Sequence, residues 1–226
     1  MNVNKRRMKL SKVAILSAVI GALFSCHMSQ AQSLFSKWTP GKVTMADGQT
    51  FEADLFYKLK SEELEVKINK EVKAYKAKDV TTFEMKDGDS VEVYISLPFD
   101  LYEENSPVVF FQLLKELNDF YLLAKQEPEV ANTYSNSISG TTMSSYQPEM
   151  LFFLTKEGKV EIYSSSNPGV MKMTVLKGSK RYVNIDLLRR LTDPYFDKLQ
   201  EYAEQNYLSF GKKKDLLEIL NYYESL

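Results

Sequence analysis

Cysteine and histidine are almost absent from this chain of 226 residues. It contains one of each, Cys26 and His27, and both lie in the stretch LFSCHMSQAQ at 23–32. If this stretch is removed, the finished protein has no Ser-His-Asp or Cys-His nucleophile, no ordinary Cys/His zinc site and no histidine to shuttle protons near neutral pH. Carboxylates, Lys, Tyr, Ser and Thr are then the remaining candidate catalytic groups. We therefore expect a protein that is not an enzyme, and we assign no catalytic residue, metal site or cofactor.

Glycine-based ligand motifs are also missing. The sequence has no phosphate-binding glycine loop, no Rossmann fingerprint and no Gly-x-Ser-x-Gly elbow. The Asp87-Gly88-Asp89 segment lacks the twelve-residue ligand spacing of an EF-hand, so we interpret it as a turn. Nucleotide binding and EF-hand calcium binding therefore have no support from motifs.

The one long apolar run lies near the start of the chain. Five basic residues and no acidic residue precede VAILSAVIGALF at 13–24, whose 12 residues fit the apolar region of an export signal. A bilayer-spanning helix needs roughly 20 residues. We expect residues 1–31 to be a signal peptide for Sec export, which places the protein in the periplasm or outside the cell.

Two processing sites compete. Ser29 and Ala31 provide the small side chains that ordinary signal peptidase requires, and the mature chain then begins at Gln32. Leu23-Phe24-Ser25-Cys26 resembles a bacterial lipobox, in which Cys26 would be lipidated and would tether the protein to the envelope. We prefer cleavage between Ala31 and Gln32, because bulky Phe24 occupies a lipobox position where a smaller residue is usual.

The charge balance becomes acidic once the leader is removed. Loss of its five basic residues leaves 24 Lys and Arg against 30 Asp and Glu, a net charge of about −6. Because no basic face remains, we expect no nucleic-acid binding. A partner, if there is one, should be a protein or a glycan of the envelope.

Short strands and tight turns follow from Trp38 onward. Alternating apolar residues flank Asp47-Gly48, Asn69-Lys70-Glu71, Asp87-Gly88-Asp89 and Gly158, which predicts a series of hairpins. Residues 108–125 have the spacing of either a helix or two strands, and we prefer strands joined at Asn118-Asp119 because Val, Phe and Tyr are abundant. The segment 170–176 is expected to add an edge strand.

Helical spacing begins after the last strand. We predict helices near 183–191, after an Asp193-Pro194 N-terminal pair up to Gly211, and over 213–226. The expected fold class is therefore α+β, a mostly antiparallel sheet arranged as a sandwich or as an open, barrel-like meander, with the C-terminal helices packed on it. The expected boundaries are a β-rich region at 32–177 and a helical segment at 178–226 within one domain.

Candidate binding residues are few. The segment 131–148 is rich in Ser, Thr and Asn, so we expect a flexible loop at about 128–148, in which Tyr134 and Tyr146 are candidate ligand contacts. Trp38 could stack on a sugar or plug the edge of the sheet, and we prefer the edge because Trp38 lies beside Pro40-Gly41 at the start of the fold. Carboxylate pairs such as Glu62-Glu63 and Glu103-Glu104 could be proposed for glycan hydrolysis, which requires two acids across a cleft. Adjacency in sequence does not establish that separation, and adjacent acids on exposed turns are usually solvated.

Three segments carry a family resemblance: Ser-Gln-Ala before Gln32, the opening WTPGKV at 38–43 with its Asp47-Gly48 hairpin, and the ending LLEILNYYESL. Together they resemble small uncharacterised exported proteins of Bacteroidota-type bacteria. The resemblance implies an envelope or secreted location and no activity. Our hypothesis is a non-enzymatic binding or structural protein of the cell envelope; the alternative is a carboxylate-dependent glycan hydrolase or a carbohydrate-binding module.

Overall fold

The strands form one antiparallel sheet. The computed structural model describes residues 38–59, 61–99, 106–126, 149–166, 174–175 and 181–226. Its twelve strands lie in the order β11-β12-β10-β9-β8-β7-β6-β5-β1-β2-β3-β4. They are β1 Thr39–Met45, β2 Thr50–Lys58, β3 Glu63–Ile68, β4 Glu71–Lys76, β5 Val80–Asp87, β6 Ser90–Pro98, β7 Val108–Glu116, β8 Phe120–Gln126, β9 Glu149–Thr155, β10 Val160–Ser165, β11 Thr174–Val175 and β12 Tyr182–Val183.

The predicted hairpins are confirmed, and their turns use the expected chemistry. Gly48 has φ +88° between β1 and β2, and Gly158 has φ +81° between β9 and β10. Asn69 and Lys70 both take positive φ, 50° and 80°, as a two-residue hairpin loop of mirror-image type requires. The carboxylate of Asp47 accepts a hydrogen bond from the backbone N–H of Gln49 at 2.9 Å, which supports the first turn.

Residues 108–125 form two strands, as predicted. They are β7 and β8, joined at Asn118-Asp119. A helix would bury one stripe, whereas this segment is buried on both faces: Phe110 contributes to one side of the sheet and Phe111 to the other, and both are fully buried. The predicted edge strand is also confirmed, although within the described residues only Thr174–Val175 pairs as β11.

The sheet is open and strongly curled. Tyr57 on β2 and Phe110 on β7 have ring centroids 5.4 Å apart, although four strand spacings, roughly 19 Å in a flat sheet, separate their strands. Phe83 and Tyr94 complete this aromatic core, stacked at 4.6 Å. The curl lets a single 3-10 turn at Ala77–Asp79 lead from β4 at the edge back to β5. The predicted fold class is confirmed, as a single open meander with helices packed on it.

Three helices cover one face of β8 to β10. They are α1 Ile185–Thr192, α2 Phe196–Gln205 and α3 Lys213–Glu224. Leu188 on α1 and Leu216 on α3 are fully buried in one apolar cluster with Phe153 and Tyr163 of the sheet. Burying such side chains stabilises the fold by about 1.5–3 kcal/mol each. The helices are therefore part of the core, as the apolar stripes predicted.

The boundaries of α2 differ from the prediction at both ends. Tyr195, without a side-chain cap, precedes the first residue, Phe196, so Asp193 is not the N-cap. The helix ends at Gln205, well before Gly211. The backbone N–H of Leu208 donates to the carbonyl of Ala203 at 2.8 Å and that of Tyr207 to Glu204 at 3.3 Å, which is the Schellman ending of a helix.

Candidate functional site

Several sequence-predicted site residues lie outside the described part of the chain. These are Cys26, the predicted cleavage residues Ala31 and Gln32, the candidate contacts Tyr134 and Tyr146, and the pair Glu103-Glu104. Their roles stay predictions.

The other predicted residues have structural partners. The Trp38 ring lies 5.8 Å from that of Phe56, and the Lys67 ammonium sits 5.7 Å from its centroid. A sugar stacking on that ring face would have to displace Lys67. Glu62 forms an ion pair with Lys125 of β8, so it ties the β2–β3 turn to the middle of the sheet. These contacts indicate structural roles for Trp38 and Glu62.

One concavity among the described residues is a cleft in the helical layer, here called the cap cleft. Its volume is about 480 Å³, within the ~300–1,000 Å³ typical of ligand pockets. Its apolar floor and polar rim are contributed by α1, α2 and the loop between α2 and α3. The lining residues are Ile185, Arg189, Phe196, Gln200, Ala203, Glu204, Leu208, Ser209 and Phe210.

Helical spacing explains why α2 contributes both floor and rim. Phe196, Gln200 and Ala203 recur at intervals of four and three residues, so they share one face of the helix. Phe196 and Ala203 are buried, whereas Gln200 is exposed at the rim. The guanidinium of Arg189, on α1, lies 4.7 Å from the Phe196 centroid, a cation–π contact. One positive group is thereby held over the aromatic floor.

The loop that closes the cap cleft is anchored from below. The hydroxyl of Tyr163, on β10, donates to the carbonyl of Phe210 at 3.0 Å. The carboxylate of Asp215, in the first turn of α3, accepts from the N–H of Ser209 at 3.0 Å. Burial raises the pKa of Tyr163 well above its usual value, so its hydroxyl keeps the proton that it donates. The cleft wall is therefore fixed by the sheet and by the following helix.

Tyr207 stands beside this cleft without covering it. Its neighbours Glu204 and Leu208 line the cap cleft, yet its own side chain is 95% exposed. Its φ of 56° lies in the left-handed region, which glycine adopts most easily at this position of a Schellman ending. A tyrosine there costs about 1–2 kcal/mol in backbone strain. The sequence therefore keeps an exposed aromatic residue at a position that favours glycine.

A second, smaller depression lies on the sheet and is here called the charged trough. It has a volume of about 390 Å³ and is lined by β1, β2, β3 and β5. Lys42 of β1 lies in register with Glu52 on one side and Glu84 on the other, and Asp54 lies opposite Lys67. Opposite charges across strands stabilise a sheet. The trough thus has a structural explanation for its charges.

The chemistry of the cap cleft suits binding. Among its described lining residues, Glu204 is the single carboxylate, whereas glycoside hydrolysis uses two facing acids. Within the described residues, no group of three or more His, Cys, Asp and Glu side chains could hold a metal ion. In the same part of the chain, no helix has the length and apolar character needed to cross a bilayer.

The sequence analysis missed this site for a definable reason. Helical spacing after Asp193-Pro194 predicted a helix packed on the sheet, and Phe196 and Ala203 of that helix form the floor of the cap cleft. Helical spacing identifies a stripe, but it does not show that α1 and α2 leave space above it. The sequence offers one local signal of this site: Tyr207 directly follows Asn206, at a helix end where glycine is usual.

Comparison with known proteins gives no further assignment. No protein-family model, no curated protein and no solved structure gives a significant match to the chain. The function is therefore inferred from the geometry of the described residues.

Proposed function

We propose that this chain is an exported, non-enzymatic binding protein of the cell envelope that recognises its partner through the cap cleft. The observation that carries the proposal is the cleft itself: about 480 Å³, an aromatic floor, and a rim with one guanidinium and one carboxylate. Apolar concavities with a few polar groups are the usual form of a binding site. The envelope location rests on the leader sequence, with a lipid anchor at Cys26 as the alternative to a periplasmic or secreted product.

Rigidity supports this proposal. The floor is part of the packed cap, since Phe196 stacks with Phe210 at 6.1 Å and Ala203 is buried against Leu199 and Ile219. Preorganised sites avoid the entropic cost of ordering a surface on binding. The cap cleft therefore suits an apolar side chain of a partner protein, with polar contacts at its rim.

The test is to block the cleft from its exposed rim. Gln200→Trp places a large ring at the cleft mouth, where the side chain of Gln200 is exposed. Gln205→Trp is the matched control, because Gln205 is also an exposed glutamine of α2 and is not among the described lining residues. Both tagged variants are expressed in the native host and crosslinked in intact cells, and the crosslinked partner is quantified from the envelope fraction.

The two variants should differ in how much crosslinked partner is recovered. We expect Gln200→Trp to lose the crosslinked species and Gln205→Trp to retain it. Equal recovery with both variants would show that the cap cleft is not the binding site. The hydrolase alternative has its own readout: release of sugars from purified cell-wall glycan that one carboxylate substitution abolishes would replace the binding proposal.

A further inference from the structure

We infer that the occupant of the cap cleft is Tyr207 of a second copy of this chain, so that two copies associate about a two-fold axis. This inference rests on the proposed function, because it assumes that the cap cleft is a binding site. It adds the identity of the partner and the residue that enters the cleft.

Tyr207 is almost fully exposed and does not pack against the described residues of its own chain. We call it the anchor of the interface and the cap cleft the receptor. With 95% of the side chain exposed, it has the highest value among the described exposed large apolar residues; the next, Val91, is at 53%. Tyrosine is enriched among the residues that carry most of the energy of protein interfaces. A phenol ring left in water on a rigid loop is therefore an expected binding element.

The backbone at Tyr207 supports a role outside the monomer. Its φ of 56° is strained for a side chain of this size, and glycine would complete the same Schellman ending without that strain. Strain that the monomer does not repay by side-chain burial is found where a function requires the residue. The tyrosine is thus better explained by an interface than by folding.

The cap cleft fits a tyrosine in shape and in chemistry. Leu208 and Phe210, both partly exposed, offer apolar surface for the ring. Arg189, Gln200 and Ser209 provide polar groups for its hydroxyl. Tyrosine commonly binds in this way, with an apolar body buried and a polar tip paired.

Position and charge favour a second copy over a different protein. Glu204 and Leu208, which precede and follow Tyr207 in the sequence, both line the cap cleft. Tyr207 and the cap cleft therefore lie on one surface of the chain. A two-fold axis at such a surface places each anchor in the opposite cleft, because the same patch is used twice. Arg189 and Glu204 both line the cleft, so each copy presents opposite charges on this surface, and such charge complementarity favours that pairing.

The experiment measures self-association of the protein purified as its host exports it, by sedimentation equilibrium over a wide concentration range. The variants are Tyr207→Gly, which removes the anchor, Gln200→Trp, which blocks the receptor, and Gln205→Trp as control. Loss of one anchor should weaken association about 30-fold, and a symmetric dimer loses two, about 1,000-fold. At concentrations where both proteins are monomeric, thermal unfolding of Tyr207→Gly should show a folded-to-unfolded ratio raised about 5-fold relative to the wild type, because strain is relieved.

A mixture gives the sharpest outcome. Tyr207→Gly keeps an intact cleft and Gln200→Trp keeps an intact anchor, so the mixed pair should form a heterodimer about 30-fold weaker than the wild-type dimer. If either single variant forms a dimer as tight as the wild-type dimer, the inference is wrong. A wild-type chain that stays monomeric would also overturn it, and if the crosslinked envelope species still requires an open cleft, the proposed function holds with a different partner.

Discussion

Gly41 is a position where the structure predicts a large effect of a single methyl group. It lies in β1, buried, and pairs with Met85 of β5. A Cβ built on Gly41 would overlap the carbonyl oxygen of Glu84 and lie 2.5 Å from Cδ1 of Leu55. Real Cβ atoms essentially never approach another atom within 3.0 Å. Gly41→Ala must therefore move β1 away from β5.

The expected loss of stability depends on which atoms must move to make room for the added Cβ. The Leu55 side chain could rotate, but the Glu84 oxygen belongs to the backbone of the paired strand and cannot yield alone. Overpacking of a core costs about 1–3 kcal/mol, and each weakened ladder hydrogen bond adds about 0.5–1.5 kcal/mol. We expect Gly41→Ala to lower the free energy of unfolding by about 3 kcal/mol or more.

Urea unfolding measures this change against a matched control. With a slope of about 2 kcal/mol per molar urea, the midpoint of Gly41→Ala should fall by about 1.5 M. Gly48→Ala is the control: nothing lies within 4 Å of its added Cβ, but its φ is +88°, so we expect backbone strain of about 1 kcal/mol and a shift of about 0.5 M. An effect of Gly41→Ala no larger than that of Gly48→Ala would refute the steric argument.

Two further predictions concern buried hydroxyls. Burial raises the pKa of Tyr163, so above pH 10 the unfolded chain releases this proton while the folded chain holds it, and stability falls as pH rises. Tyr163→Phe should reduce that fall by about 1 kcal/mol in urea unfolding between pH 10 and 11, and an unchanged slope would contradict the assignment. Ser96 has a buried hydroxyl without a hydrogen-bond partner among the described residues, so Ser96→Ala should leave stability unchanged or raise it by up to about 1 kcal/mol; a loss above 1 kcal/mol in the same assay would reveal a missing partner.

Local chemistry explains what the sequence could predict. The turn at Gly48 and the strand alternation around Val43 each depend on neighbouring residues, and both were identified correctly. The same is true of the stripe of α3, whose Leu216, Ile219 and Leu220 are all buried. These features need no knowledge of distant contacts, because backbone geometry and periodicity decide them.

Contacts between distant segments explain what the sequence could not predict. The curl of the sheet depends on the meeting of Tyr57 and Phe110, which lie 53 positions apart in the chain. The early end of α2 depends on Leu208 folding back toward Ala203, although Gly211 was the stronger local signal. The cap cleft depends on the separation of two helices. Each is a property of packing, so residue types alone left it open.

The location of the cleft follows from how the sheet is used. In the central strands both faces are apolar and buried, with Phe153 under the helices and Phe152 in a second cluster on the opposite side. On β1 to β3 the outer charges are paired across strands, as Asp54 and Lys67 are. The cap differs, because partly exposed apolar residues, Leu208 and Phe210, line its cleft and the exposed aromatic ring of Tyr207 stands beside it. Among the described surfaces, the cap is therefore where association with a partner would gain the most from removing aromatic surface from water.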